Sequence, residues 1–466
     1  RAVRDLNGLQ TNHAILQQIK ASGGRINEYS LPEFEAFIEK LGHGVDDLDG
    51  LHVIHVTGTK GKGSTCAFVQ ALLAQLPQRL KIGLYTSPHL VEVRERIRID
   101  GAPLSRAAFA ARFYEVYDAL RAPEPALRRV TAESPAMPMY FRFLTLMAYH
   151  VFLREAVDVA IVEVGVGGEY DSTNVVRRPA VCGIAALGID HTAALGATVA
   201  EIAWHKAGII KRGVPVFSVA QPEPGLRVIR QRAEERGAPA PVVVAPLPPG
   251  TTLGIAGDHQ RTNAALAVAL CRAWVQRRRG IGAPPPDDDD TWIARGLAAA
   301  RWPGRTQTFV AAAVPGVVWH VDGAHTAESM AACAAWFAGV APTHAPRVLL
   351  FNAAHGRDAQ ALLAELAANG GGAFAEAVFC PNLARRRADS ANFSVAPDEG
   401  LAPQHDAARV WAALSPRCKT TVLPTIDDAV AHVEAAYADA APPVHVLATG
   451  SLHLVGGVLD ATNGPI

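Results

Sequence analysis

Nowhere in the 466 residues does an uninterrupted apolar run approach the length needed to cross a bilayer, roughly 20 residues, which argues against a helical membrane span. The start, Arg1 to Lys20, has no apolar segment of the kind that marks a secretory signal. Paired cysteines are missing as well. Cys66, Cys182, Cys271, Cys333, Cys380 and Cys418 stand far apart with no C-x-x-C pair, which argues against a zinc site or a disulfide framework and for a reducing compartment. They read as core fillers. Excess charge of either sign is also absent: 44 basic residues face 44 acidic ones. Broad attraction to nucleic acid or to an anionic membrane is therefore not expected, and any anion has to be met by a local pocket. The expectation is a cytoplasmic chain, with a mitochondrial form whose leader is removed upstream of Arg1. What is abundant is apolar surface, 49% of residues, enough for a large core and for two domains.

The most informative stretch runs Val53-Ile54-His55-Val56-Thr57-Gly58-Thr59-Lys60-Gly61-Lys62-Gly63-Ser64-Thr65. An apolar strand breaks into a glycine and lysine loop and then a helix-forming segment. The glycines let the backbone curl until several N–H groups face inward, the helix offers its positive end, and Lys62 adds a mobile point charge. Ser64 or Thr65 can add a hydroxyl. The pattern G-x-x-x-x-G-K-[ST] is met imperfectly, since Val56 replaces the first glycine and Gly63 follows the lysine. The loop is a variant triphosphate cradle.

Strand-like and helix-like runs alternate along the chain, the pattern of a parallel sheet covered on both faces. Lys81–Tyr85 ends in Thr86-Ser87-Pro88-His89, Val159–Val162 in Glu163-Val164-Gly165, and Val181–Ile189 in Asp190-His191. Ligands of open parallel sheets sit at the carboxyl ends of the strands, so Ser87, Glu163 and His191 are expected beside the phosphate loop. A hydroxyl, a carboxylate and an imidazole near a triphosphate suggest magnesium, with the histidine an unusual member for so hard an ion. Taken singly, Ser87 also suits a turn before Pro88, Glu163 an arginine pair, and His191 a cap.

Thr198 and Glu201 read as a capping box, after which Val199, Ile202, Ala203, Ile209 and Ile210 share one helical face. Lys206 falls on that same apolar face. A buried ammonium needs a partner carboxylate or loses its proton, and a neutral amine can capture carbon dioxide as a carbamate able to bind a second magnesium. The alternative is an amine that snorkels to solvent. Gly257 to Asn263 reads as a polar helix start suited to a nucleotide or to the domain interface. Arg277 to Asp290, with charge blocks around a proline run, reads as a mobile surface loop, and Arg385 to Gly400 as an exposed insertion. Beyond Arg301-Trp302-Pro303-Gly304-Arg305, the runs Val317–Val321, Val348–Phe351, Ala377–Phe379 and Val444–Ala448 predict a smaller α/β domain without a phosphate loop, with the hinge near Gly304.

Seven motifs together resemble those of the folylpolyglutamate synthases, in their eukaryotic form, from the folate branch of the muramyl ligase superfamily. They are Gly58–Ser64, Thr86–Leu90 with Arg94–Ile97, Glu163–Gly168, Leu187–His191, Lys206–Lys211, Arg301–Arg305 and Asp322-Gly323-Ala324-His325, in the family's order. The resemblance implies an α/β protein with a phosphate-loop domain at 1–304, carrying a mostly parallel sheet and a folate-binding segment. It also implies a smaller Rossmann-like domain at 305–466 that contributes to ATP and glutamate binding. ATP falls on Gly61, Lys62, Gly63, Ser64, Arg305 and Asp322, and magnesium on Ser87, Glu163 and His191. Two magnesium sites and a monovalent cation are implied. Lys206 matches a lysine carbamylated in bacterial members, and Ser134 to Phe143 resembles the segment lining the folate site.

The implied activity is an ADP-forming acid–amino-acid ligase. It acts as a monomer on reduced folate, its polyglutamates and L-glutamate, with no nucleic-acid partner and no membrane insertion. The γ-phosphate of ATP activates the γ-carboxyl of folate's terminal glutamate as an acyl phosphate, and an incoming amine displaces phosphate. Lys62 offsets charge during that transfer, and His325 is a candidate for holding the carboxylate of glutamate or the tetrahedral intermediate. Three other readings stand beside it: dihydrofolate synthase acting on dihydropteroate, a phosphate-loop carboxylate kinase, and a nucleotide-binding protein without catalysis.

Overall fold

The computed structural model describes residues 1–10, 28–279, 291–353, 357–369, 373–384 and 400–465. Of the surface loop expected over Arg277 to Asp290, Arg277–Arg279 instead continue a helix, and the rest, 280–290, lies outside the described residues together with most of the expected insertion, 385–399. The chain forms two compact units. The first comprises Arg1–His89, Arg94–Gly254 and Gln260–Arg301; the second comprises Leu90–Val93, Ile255–His259 and Trp302–Ile466. The change-over falls at Arg301–Trp302 rather than at Gly304, whose carbonyl is already tied into the second unit by the amide of Gly323 at 3.1 Å. Leu90 and Val91 likewise bury themselves in the apolar core of the second unit.

The first unit is built on β1 (Ile54–Thr57), β2 (Ile82–Tyr85), β3 (Ile97–Ile99), β4 (Ala102–Pro103), β5 (Val159–Glu163), β6 (Val181–Ile184), β7 (Val216–Val219) and β8 (Val242–Val244). Their order is β4-β3-β2-β5-β1-β6-β7-β8. β2, β5, β1, β6, β7 and β8 run parallel, and the β3–β4 ribbon is antiparallel at one edge. Every residue of β1, β2, β5 and β6 is buried, which is why these strands read as largely apolar runs rather than alternating ones. β6 stops at Ile184 although the apolar run continues to Ile189. Beyond it the backbone turns to other partners: Ala186 O accepts from the amides of Thr59 and Lys60, and Leu187 N donates to Gln221 Oε1.

The helix predicted after Thr198 is present, with the capping box formed, but it ends at Lys206 and tightens into a 3₁₀ turn at Ala207–Ile209. Ile209 and Ile210 are buried through that turn and not as a continuation of the helical face. The polar start at Gly257–Asn263 leads into the helix His259–Arg279 as expected, although residues up to His259 group with the second unit.

The second unit carries β9 (Gln307–Val310), β10 (Val317–Asp322), β11 (Arg347–Phe351), β12 (Glu376–Phe379), β13 (Lys419–Val422) and β14 (Val444–Thr449), in the order β13-β12-β11-β14-β10-β9. All pairings are parallel except that of β9 with β10. One face packs Trp319, Val321 and Val446 with Leu454 and Val458; the other packs Leu349 and Phe351 with Phe337 and Trp411. All six cysteines are buried with free thiols. Among the described residues, no helix is long and apolar enough to cross a membrane.

Candidate active site

β1 lies between β5 and β6, and the loop that follows it therefore opens at the middle of the sheet's carboxyl edge. At Gly58 a Cβ would stand 2.8 Å from the Cβ of Ala185, so only glycine lets the loop lie this close to its neighbour. Gly61 has φ of 81° and caps the helix Lys62–Leu73, with Thr65 N donating to its carbonyl at 2.8 Å. A side chain at Gly61 would be strained and would run into the carboxamide of Asn263. The loop is clasped sideways: Thr59 N and Lys60 N donate to Ala186 O at 2.8 and 3.1 Å, and Thr59 Oγ1 donates to Gly188 O at 3.0 Å. Lys62 and Gly63 occupy the first turn of the helix, half-buried, where N–H groups and the helix dipole favour an anion. Gln260 Nε2 donates to Ser64 Oγ at 3.4 Å, and Asn263 Nδ2 donates to Gln260 Oε1 at 2.9 Å. Thr65 Oγ1 is buried with no hydrogen-bond partner.

Ser87 follows β2, Glu163 ends β5 and His191 lies past β6, so the sheet order brings all three to the edge that carries the loop. Ser87 and Glu163 meet directly, the amide of Ser87 donating to Glu163 Oε2 at 3.0 Å. The Glu163 side chain is buried, where an ionised carboxylate needs donors or a cation. His191 is exposed and left-handed at φ 52°, with its amide donating to Asp190 Oδ1 at 2.9 Å. Among the described residues, no group of three His, Cys, Asp or Glu side chains forms a metal cage.

Lys206 is buried at 4% exposure, and its Nζ donates to Gly58 O at 2.9 Å, the first carbonyl of the phosphate loop. Sequence alone left a carboxylate partner or a neutral amine open. That hydrogen-bond partner is a carbonyl, and burial pushes the amine well below the usual lysine range, with Lys62 and Lys60 acting in the same direction against Asp190 and Asp171.

The segment Ser134–Phe143 runs into the helix Tyr140–Arg154 beside the end of β2. Arg96 lies over the Tyr140 ring at 5.5 Å and donates from Nε to His89 Nδ1 at 3.0 Å, while Phe141 packs 6.2 Å from Tyr85.

In the second unit, Asp322 ends β10, and its Oδ2 accepts from Thr306 N at 2.8 Å. Burial raises the carboxyl of Asp322, opposed by the Arg305 guanidinium, the amides of Thr306 and Ala324, and His259. Thr306, left-handed at φ 41°, also donates from Oγ1 to Ala256 O at 2.6 Å, which brings the Ile255–His259 segment to the same place. His325 Nδ1 lies 2.8 Å from Gly323 O. A carbonyl only accepts, so Nδ1 carries the hydrogen; a neutral ring then presents Nε2 as an acceptor, and only the protonated ring donates from it.

Lys60, Asp190 and His259 were not singled out from sequence. Lys60 and Asp190 stand inside the motifs that were recognised, but their pairing across 130 positions leaves no local signal.

No protein-family profile matches the chain. The human protein named folylpolyglutamate synthase, mitochondrial, is 41% identical, over 98% of this chain and 90% of that protein. The Neurospora crassa folylpolyglutamate synthase is 39% identical, over 98% of this chain and 90% of its own length. A solved structure of Mycobacterium tuberculosis folylpolyglutamate synthase, complexed with ADP and AMPPCP, is similar at a TM-score of 0.74 and 27% identity, covering 93% of this chain and 96% of that one.

Proposed function

The chain belongs to the folylpolyglutamate synthase family, and from that membership we propose that it is an ATP-dependent ligase adding L-glutamate to reduced folates through a γ-amide bond. The observation that carries this reading is the phosphate loop, whose amides and Lys62 sit at the helix start beside a buried carboxylate, Glu163.

A carboxylate is a poor electrophile, so it is first activated. An oxygen of the folate γ-carboxylate attacks the γ-phosphorus, the bond to ADP breaks, and an acyl phosphate forms. The amine of glutamate then attacks the acyl carbon, phosphate leaves, and the nitrogen loses a proton. Gly61, Lys62, Gly63 and Ser64 hold the triphosphate, and Lys62 offsets charge on the phosphoryl group in transit. Glu163, Ser87 and His191 would hold magnesium, which supplies charge neutralisation at the phosphates. The buried carboxylate of Glu163 supports that assignment. Arg305 and Asp322 are the nucleotide contacts we assign to the second unit, and His325, when protonated, a donor to the glutamate carboxylate. The half-buried Tyr140 and Phe141, in the segment Ser134–Phe143, are the rings we assign to the folate site.

Burial favours the uncharged form of the Lys206 amine, the form that adds carbon dioxide: nitrogen bonds to carbon, a proton leaves, and a carbamate results. Non-denaturing mass spectrometry of wild type and Lys206→Met tests this, and a wild-type mass without the added CO₂ rejects it. We place the enzyme in the cytosol with a mitochondrial form, following the naming of the human relative, and as a monomer.

The deciding assay combines ATP, magnesium, tetrahydrofolate and labelled glutamate, with products separated by chain length. ADP release that depends on glutamate, with label in lengthened folates, is expected. ADP release without glutamate indicates a carboxylate kinase, and turnover of dihydropteroate alone indicates a dihydrofolate synthase.

A further inference from the structure

The segment that continues β6 keeps one sheet bond, Ala185 N donating to Thr57 O at 2.8 Å, and from Ala186 to Asp190 runs alongside the phosphate loop. Thr59 and Gly188 exchange two hydrogen bonds: the threonine hydroxyl donates to Gly188 O at 3.0 Å and accepts from Gly188 N at 3.1 Å. Lys60 extends this clasp through its side chain, with Nζ 3.2 Å from Asp190 Oδ2. The other oxygen of Asp190 accepts the amide of His191 at 2.9 Å. One carboxylate therefore links a loop lysine to a histidine held in the left-handed region, a backbone conformation that non-glycine residues adopt only when their surroundings enforce it. The Asp190 side chain is 7% exposed and that of Lys60 27%, so the aspartate end of the pair is desolvated.

We propose that Lys60 and Asp190 are positioning residues that brace the phosphate loop against the segment carrying His191, so that nucleotide phosphates and the imidazole meet in register. The inference rests on the nucleotide reading of the loop. It gives Lys60 a different task from Lys62: Lys62 faces the phosphates, whereas Lys60 is occupied by Asp190. Neither brace residue touches a reacting atom, and both act through the geometry of the groups they hold.

The test is calorimetric ADP binding in EDTA, with the full chain as wild type, Lys60→Met, Asp190→Asn, the double variant and Lys60→Arg. Asp190→Asn keeps the size of the side chain and an oxygen for the His191 amide, so it reports on the ion pair even if Lys60→Met folds poorly. Each single variant is expected to weaken ADP about fivefold, the scale of one partly exposed ion pair. The double variant should be no weaker than the worse single, and Lys60→Arg should restore affinity. In steady state the KM for ATP should rise, and Lys60→Arg should bring it back, a recovery that a general loss of stability does not produce.

Wild-type affinity in Asp190→Asn beside a loss in Lys60→Met would overturn the proposal, because Lys60 would then be a direct phosphate ligand. Losses that multiply in the double variant would overturn it too. Lys62→Ala separates the two levels. If it binds ADP normally, the nucleotide reading itself fails; if it does not, and Asp190→Asn behaves as wild type, only the brace fails.

Discussion

His55, in the central strand β1, ought to make the first unit sensitive to acid. Its Nε2 lies 3.0 Å from Thr173 Oγ1, and that hydroxyl donates onward to Asp171 Oδ1 at 2.6 Å. The threonine hydrogen is thus committed to the carboxylate, and His55 must be the donor from Nε2. Nδ1 is left as a buried nitrogen without a partner. Protonating it would bury a cation with nothing to receive its hydrogen, and burial, helped by nearby Lys211, lowers the pKa to about 3.

The unfolded chain has no such restriction and takes up a proton near the ordinary value of 6.5. Below that value the unfolded state binds more protons than the folded one, so stability is complete above pH 6.5 and falls as pH drops toward 3. Between pH 7 and pH 5 the loss from this residue is about 2 kcal/mol, at 1.36 kcal/mol per unit. Urea unfolding of wild type and His55→Gln at both pH values measures it. The variant is expected to be less stable at pH 7 and to lose about 2 kcal/mol less on acidification. Equal losses in both proteins would refute the assigned tautomer and its unpaired nitrogen.

If Lys62 has the role proposed for it at the transferring phosphoryl group, Lys62→Ala lowers kcat by about 100-fold or more with an unchanged melting temperature, since little packing is lost; near-wild-type turnover would remove Lys62 from the mechanism. Gly61→Ala should cost about 1 kcal/mol or more in backbone strain and weaken ADP by pushing on Asn263, and pairing it with Asn263→Ala should recover part of the binding, as read by calorimetry. Thr198→Ala deletes the oxygen that accepts Glu201 N at 3.2 Å and should lower stability in urea by about 1 kcal/mol, the usual worth of such a cap.

Strand ends carried most of the legible information. Buried parallel strands are apolar through their length, so a sudden Ser87, Glu163 or Asp322 marks where the chain leaves the sheet, and for such folds that edge is where ligands gather. The same logic misjudged β6, because residues 185–189 are as apolar as the strand but from Ala186 onward turn their backbone hydrogen bonds to the phosphate loop and to Gln221. Apolar character reports burial, not which partner the backbone takes. Lys206 was legible as a misplaced charge on an apolar helical face, while its destination on Gly58 O was not, since a carbonyl far back in the chain has no side chain to betray it. The assignment of Ile255–His259 to the second unit was hidden for a related reason. One of the ties, the hydroxyl of Thr306 on Ala256 O, falls on a backbone carbonyl just before what reads as a continuous polar helix start.

The concealed cysteines give the molecule an experimental convenience. Every thiol is buried, and burial pushes each above the ordinary range, which disfavours the thiolate that alkylating reagents need. A single cysteine placed on the surface of each unit would then accept a dye or spin label without background. The distance between the two labels could be followed through a catalytic cycle in an otherwise natural sequence.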